Sequence, residues 1–311
     1  MKSVLSVTSS PHIKHGDTTK SIMLDVIIAL LPAAVFGCIM FGLKAALVLL
    51  VCIASAVLFE LLWCLLLKKP ISIGDLSAVV TGLLLGMNLP SSIPLWMAVI
   101  GSLVAIIVVK QMFGGIGHNF VNPAIVARVV LMVSFPAAMT KFLEPSIVAA
   151  DVVSEATPLQ YLDAEKVEIT VNNLFFGRHA GCIGEVSAFL LILGGLYLII
   201  RRVISPIIPV SFIGTVAVAT LIAGDNISVA LFGGGLMLGA IFMATDYVTS
   251  PTGNLGKLVF GIGCGLITFV IRKFAALPEG VSYSILIMNI LVPHINKLTV
   301  RKPFGYVKEG K

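Results

Sequence analysis

Three short stretches hold the residues whose types and spacing could do chemistry. The first is Asp151-Val152-Val153-Ser154-Glu155-Ala156-Thr157-Pro158-Leu159. Thr157 followed by Pro158 has the form of a helix N-cap with proline at the first helical position, where its missing N–H costs nothing. Gln160, three residues on, completes a capping box. On local physics alone this is a cap. A helix start also presents free N–H groups and the positive end of the helix dipole, which favour a nearby anion.

The second stretch is Lys110-Gln111-Met112-Phe113-Gly114-Gly115-Ile116-Gly117-His118-Asn119-Phe120-Val121-Asn122-Pro123-Ala124. Its glycines allow a tight turn or close approach to a ligand. It lacks the Gly-Lys-Ser/Thr ending of a nucleotide P-loop. The plain reading of Asn119 and Asn122 is a turn in which Asn caps the next helix; their amides can also both donate and accept hydrogen bonds. The third stretch, Met243-Ala244-Thr245-Asp246-Tyr247-Val248-Thr249-Ser250-Pro251, closes an apolar run. Most of it fits a helix end, but an acid such as Asp246 at a membrane boundary needs a partner or a cavity. Arg128 and Glu60, inside apolar runs, raise the same question: they could pair with each other, contact a cofactor or line an ion path.

These residues must be positioned by elements that live in lipid. Of 311 residues 58% are hydrophobic and only 12% charged, with mean hydropathy +1.07, whereas soluble domains carry about 25% charged residues. The +6 net charge sits in short loops and at the ends, a topology signal that argues against nucleic-acid binding. The five cysteines form no CxxC pair, and four lie in apolar runs. That argues against a metal centre or a disulfide framework, leaving Cys182 alone in a polar loop. The polar first twenty residues, followed by an apolar run containing Asp25 and Pro32, argue against a cleaved signal peptide.

Runs of about 20 apolar residues cross the hydrocarbon core as helices. Ten are predicted: 22–41, 45–67, 73–89, 93–109, 123–139, 186–200, 207–223, 227–245, 258–271 and 281–298. The third, eighth and ninth are short or glycine-rich, as are broken helices that line a site. Fourteen of the 21 Lys and Arg fall on the side of the termini, six on the other side, and Arg128 in a span; this puts both termini in the cytoplasm and the polar loop 140–185 outside it. The chain thus divides into 1–139, the loop 140–185, and 186–311. An echo links the halves: Ile100-Gly101-Ser102-Leu103 through Lys110 resembles Ile262-Gly263-Cys264-Gly265 through Arg272. With five spans each, such halves are inverted in the membrane, with sites near their interface. The expected fold is an all-α polytopic membrane protein of about ten transmembrane helices in two inverted five-helix halves.

The Asp-x-x-Ser-x-Ala-Thr pattern at Asp151, Ser154, Ala156 and Thr157 resembles the flavinylation motif of the NqrB/RnfD family. The stretches 110–124 and 243–251 are similar to further segments of that family. The resemblance runs from about Lys14 to Tyr306, and the compact length leans toward the Rnf branch. It implies a fold of ten helices in two inverted halves. It also implies FMN joined through its phosphate to Thr157 by an extracytoplasmic flavin transferase. In the Nqr branch the matching asparagines lie beside a non-covalent riboflavin, which carries over to Asn119 and Asn122. Asp246 and Arg128 join these as candidate cofactor contacts. The implied setting is a prokaryotic cell membrane, in an Rnf-type complex with the A, B, C, E and G subunits. That complex would move electrons between ferredoxin and NAD and couple them to Na⁺ or H⁺ transport. No catalytic acid, base or nucleophile is implied in this chain. The competing readings are a secondary transporter with Thr157 a plain cap, and a structural subunit whose partners hold every cofactor.

Overall fold

A computed structural model describes residues 18–70, 72–143, 171–177, 179–185, 187–275 and 280–299. Asp151, Ser154, Ala156 and Thr157 lie outside the described residues, as does most of the loop that carries them.

The chain enters α1 (Thr19–Phe41) through Thr18, whose hydroxyl accepts from the Ser21 N–H. It leaves at Gly42 (φ 76°), the one residue between α1 and α2 (Leu43–Leu66). A left-handed residue there reverses the chain in the least space, and glycine adopts that conformation without a Cβ clash. At 1.5 Å per residue both helices exceed about 30 Å, the thickness of the hydrocarbon core.

The next span is shorter than predicted. A 3₁₀ turn at Ile73–Asp75 leads through Leu76, in the left-handed region (φ 63°), to α3 (Ser77–Met87). Eleven residues reach only about half-way across a bilayer. Beyond it the chain turns through Asn88–Pro90 into α4 (Leu95–Leu103), which continues in π-helical form over Val104–Gln111. Then come α5 (Pro123–Ser134), capped by Asn122, and a short α6 (Pro136–Met139). Pro136 accounts for the interruption of the predicted fifth span, since it cannot donate into the preceding turn.

After α7 (Val171–Phe176), the second set consists of α8 (Ala188–Ile200), α9 (Ile207–Ala223), α10 (Ile227–Phe232), α11 (Leu236–Leu238), α12 (Asn254–Phe274) and α13 (Val281–Thr299). The eighth span is broken at Gly233–Gly235 and resumes as α11 with a π segment, Gly239–Met243. The ninth, expected to be a candidate for breaking, is one unbroken 21-residue helix. Its glycines serve packing: a Cβ on Gly265 would lie 2.6 Å from Thr215 Cβ on α9, so small residues let the two backbones approach.

Among the described residues the regular structure is helical, with isolated β-bridge positions such as the Pro90–Cys182 pair. Three helices, α1, α2 and α12, are long and apolar enough to cross a membrane by length and composition. Leucines such as Leu43, Leu50 and Leu66 stay exposed along α2, as lipid-facing positions do in an integral membrane protein. The two sets meet where α1 packs on α8 and α5 on α13. This joins the first predicted span to the sixth and the fifth to the tenth.

A seam cavity and two buried ion pairs

The Gly-rich stretch forms a loop between α4 and α5 in which Gly114, Gly115 and Gly117 all have φ between 87° and 119°. Phe113 and Phe120 pack edge to face across it, 5.0 Å between ring centres. The loop delivers Asn122 to the start of α5, where its Oδ1 accepts from the Ala124 and Ile125 N–H groups (3.0 and 3.4 Å). The capping alternative is therefore realised, yet the amide also binds elsewhere. Its Nδ2 donates to the Met243 carbonyl, 3.2 Å away, at the end of the eighth span. Asn289 on α13 completes the junction. Its amide oxygen accepts from the Asn122 N–H (3.2 Å) and its nitrogen donates to the Thr249 carbonyl (3.1 Å). Thr249 Oγ1 in turn donates to Asp246 Oδ2 at 3.0 Å. Burial pushes the Asp246 carboxyl up; hydrogen bonds from Thr249 and from the Val248 and Tyr247 N–H groups pull it back down.

Two of the three motifs thus converge on one junction, and a cavity of about 380 Å³ opens beside it. Asn119, Asn122, Asp246 and Lys110 line it, with Ser77 at the start of α3. Apolar walls come from Ile22 and Val26 of α1 and from Val80 and Leu84 of α3. Thr19 and Leu198 also line it, so it straddles the α1–α8 seam between the two helix sets. At that seam Asp25 accepts from Tyr197 of α8 (2.8 Å) and from Arg201 just beyond its end (3.1 Å). The volume falls in the range of roughly 300–1,000 Å³ typical of pockets for organic ligands.

Lys110 reaches the cavity at the end of the π segment. Its Nζ donates to Glu60 Oε2 on α2 (2.8 Å) and to Ser77 Oγ (2.6 Å). Glu60 is fully buried, and its Oε1 accepts from Ser72 (2.6 Å) and Gln111 (3.1 Å). The π turn lets consecutive residues Lys110 and Gln111 meet one carboxylate; such segments recur at functional sites. The alternative in which Glu60 and Arg128 pair with each other is not realised.

Arg128 lies instead among the ends of the broken spans, away from the cavity. Its Nη1 donates to Asn88 Oδ1 at the C-terminal end of α3; its Nη2 faces Cys182 Sγ and Glu185 Oε1, both at 3.4 Å. A cation at a helix C-terminus is favourable. Residues 182–185 also satisfy α3's freed backbone: Ile183 N–H donates to the Leu89 carbonyl (3.1 Å) and Gly184 N–H to that of Met87 (2.7 Å). Irregular backbone at membrane depth is tolerated only when buried in protein. Cys182, assigned to a polar loop by the sequence, is buried in this plug, as are Ile183 and Glu185. The clue was the apolar Cys182-Ile183 beside Glu185.

The sequence over residues 6–305 matches the family described as NQR2, RnfD, RnfE. The chain belongs to that family. It is 47% identical to the D subunit of the Na⁺-translocating ferredoxin:NAD⁺ oxidoreductase complex of Acetobacterium woodii, over 99% of this chain and 97% of that one. It is 42% identical to the D subunit of the proton-translocating ferredoxin:NAD⁺ oxidoreductase complex of Clostridium ljungdahlii (98% and 97% covered). It is 37% identical to the D subunit of the ion-translocating oxidoreductase complex of Stutzerimonas stutzeri (93% of each). In this NQR2, RnfD, RnfE family chain the fold gathers Asn119, Asn122 and Asp246 at one cavity and leaves Arg128 outside it. Lys110 also lines that cavity, bonded to the buried Glu60, and Asn289 bridges the junction. Lys110 stands in the second stretch without a chemical signal of its own, and Asn289, inside the apolar run 281–298, offers none either.

Proposed function

We propose that this chain is the D-type membrane subunit of an ion-translocating ferredoxin:NAD⁺ oxidoreductase complex and relays electrons across the bilayer through flavin. The family and the names of the similar subunits support the complex. The seam cavity, with its amides and buried ammonium on apolar walls, is the observation that carries a bound organic cofactor. Its residues fit a flavin: the size is right, the walls are apolar, and Lys110 and Asn122 still have N–H groups to donate.

FMN joined to Thr157 would serve the extracytoplasmic side, and a non-covalent riboflavin in the cavity the side of the termini. Bound flavin supplies the electron acceptance and donation; redox chemistry is the cofactor's own. The chain's part is to hold and orient it: Asn119 and Asn122 fix its polar edge, α1 and α3 exclude water from its rings, and the Asn122–Met243 bond ties the site to both helix sets. The A, B, C, E and G subunits would hold the ferredoxin and NAD⁺ sites, and a flavin transferase would load Thr157. Relatives coupled to Na⁺ and to H⁺ lie at similar identity, so either ion suits this reading.

The test is in-gel flavin fluorescence after denaturation, for wild type and Thr157→Ala co-expressed with the whole complex and its transferase. A band in the wild type that is lost in the variant is expected. A dark wild-type band would sink the covalent assignment and turn attention to a polar solute carried through the cavity.

A further inference from the structure

The Glu60–Lys110 pair holds one polar group in reserve. An ammonium has three donors; two go to Glu60 and Ser77, and the third meets no described residue. Lys110 lines the cavity, whereas Glu60 and Asp75 do not. Both acids therefore lie behind the ammonium: Glu60 bonds it directly, and Asp75 accepts from the Ser77 hydroxyl (2.5 Å). A buried charge pair is costly in the membrane and marks function more often than simple packing.

The asparagines are also partly spent. Asn122 uses its oxygen on two backbone N–H groups and one amide hydrogen on Met243, leaving one hydrogen. Asn119 donates from Nδ2 to the Val121 carbonyl (3.2 Å), and its oxygen accepts from no described residue. The cavity thus offers two unspent donors, Lys110 and Asn122, and one acceptor, Asn119. Their complement is a cyclic imide, C=O–NH–C=O.

We propose that Lys110, with Glu60 positioning it, is a ligand-binding residue that donates to an imide carbonyl of the flavin ring while Asn119 accepts from the imide N–H and Asn122 donates to the other carbonyl. This rests on the reading of the cavity as a flavin site. A cation beside those carbonyls stabilises negative charge on the reduced ring, so it also sets the potential.

The test uses the whole complex. Acid precipitation leaves covalent flavin in the pellet and releases non-covalent flavin for fluorimetry. In Glu60→Gln/Lys110→Met, which removes both charges, covalent flavin should be unchanged. Released flavin should fall on the order of tenfold or more, the worth of a hydrogen bond from a charged donor. Whatever remains should show a shifted visible spectrum and a lower midpoint potential. No released flavin from wild type would overturn the cavity reading itself. Wild-type yield, spectrum and potential in the variant would overturn the role of Lys110 while leaving that reading intact. If the variant fails to assemble, wild-type complex stripped of free flavin can be reloaded with 2-thio- and 4-thioriboflavin. At least one should bind about tenfold more weakly than riboflavin, since sulfur is a weak acceptor; equal binding of both would overturn the proposal.

Discussion

Two buried ion pairs occupy opposite ends of the broken third span and do different work. At the start of α3, Lys110 and Glu60 stand beside an open cavity, with the ammonium partly unspent. At its end, Arg128 and Glu185 sit in a plug where the neighbouring chain is buried, and Asn88, Cys182 and two backbone hydrogen bonds close the gap. A half-helix in a membrane creates two exposed backbone ends. Here one end borders an open cavity and the other is sealed with a guanidinium.

The sharpest way to break this contrast is to remove one partner of the sealing pair. Arg128→Met leaves Glu185 buried without its cation and should cost about 3–5 kcal/mol, read as loss of assembled complex or a large fall in the thermal midpoint in detergent. Adding Glu185→Gln should recover much of it. Next in size is Gly235→Ala. Its Cβ would come 3.0 Å from Glu185 Oε1 and 3.6 Å from Arg128 Nη1, and such overpacking costs about 1–3 kcal/mol. Asn122→Ala removes the α5 cap at about 0.5–2 kcal/mol and cuts the bond to Met243. It should therefore lower stability moderately and release non-covalent flavin, whereas Arg128 variants that still fold should retain it.

The smallest effect concerns Asp246, whose carboxyl is raised by burial. A raised acid leaves stability intact below the ordinary aspartate pKa of about 3.9 and loses it as pH rises through the folded-state value. Asp246→Asn should flatten that part of the stability–pH profile. An unchanged slope would mean that Thr249 and the two N–H groups fully offset the burial.

Much of this was legible in the chain. Apolar run lengths located the helices, and α9 begins and ends where the run 207–223 does. Glycine content marked the eighth span as breakable, and it breaks at Gly233–Gly235. The same signal failed for α12, because glycine serves close packing as readily as a break and periodicity does not say which. The site was half legible. Asn119, Asn122 and Asp246 stood out by type and motif, but pairing of Lys110 with Glu60, fifty residues earlier, depends on how α2 and α4 are packed. Charge counting assigned Lys110 to a loop because it ends an apolar run; the π turn that carries it inward leaves no mark in composition. Residues 182–185 were assigned to solvent for the polarity of the long loop before them, though they fill a gap that exists only once α3 has stopped short.

Phe142, Ala180 and Cys182 form one small buried cluster, so the chain departs for Thr157 and returns from it at the same anchorage. Two stretches of chain far apart in sequence thus share one apolar fastening, and a single truncation there, such as Phe142→Ala, would loosen both at once.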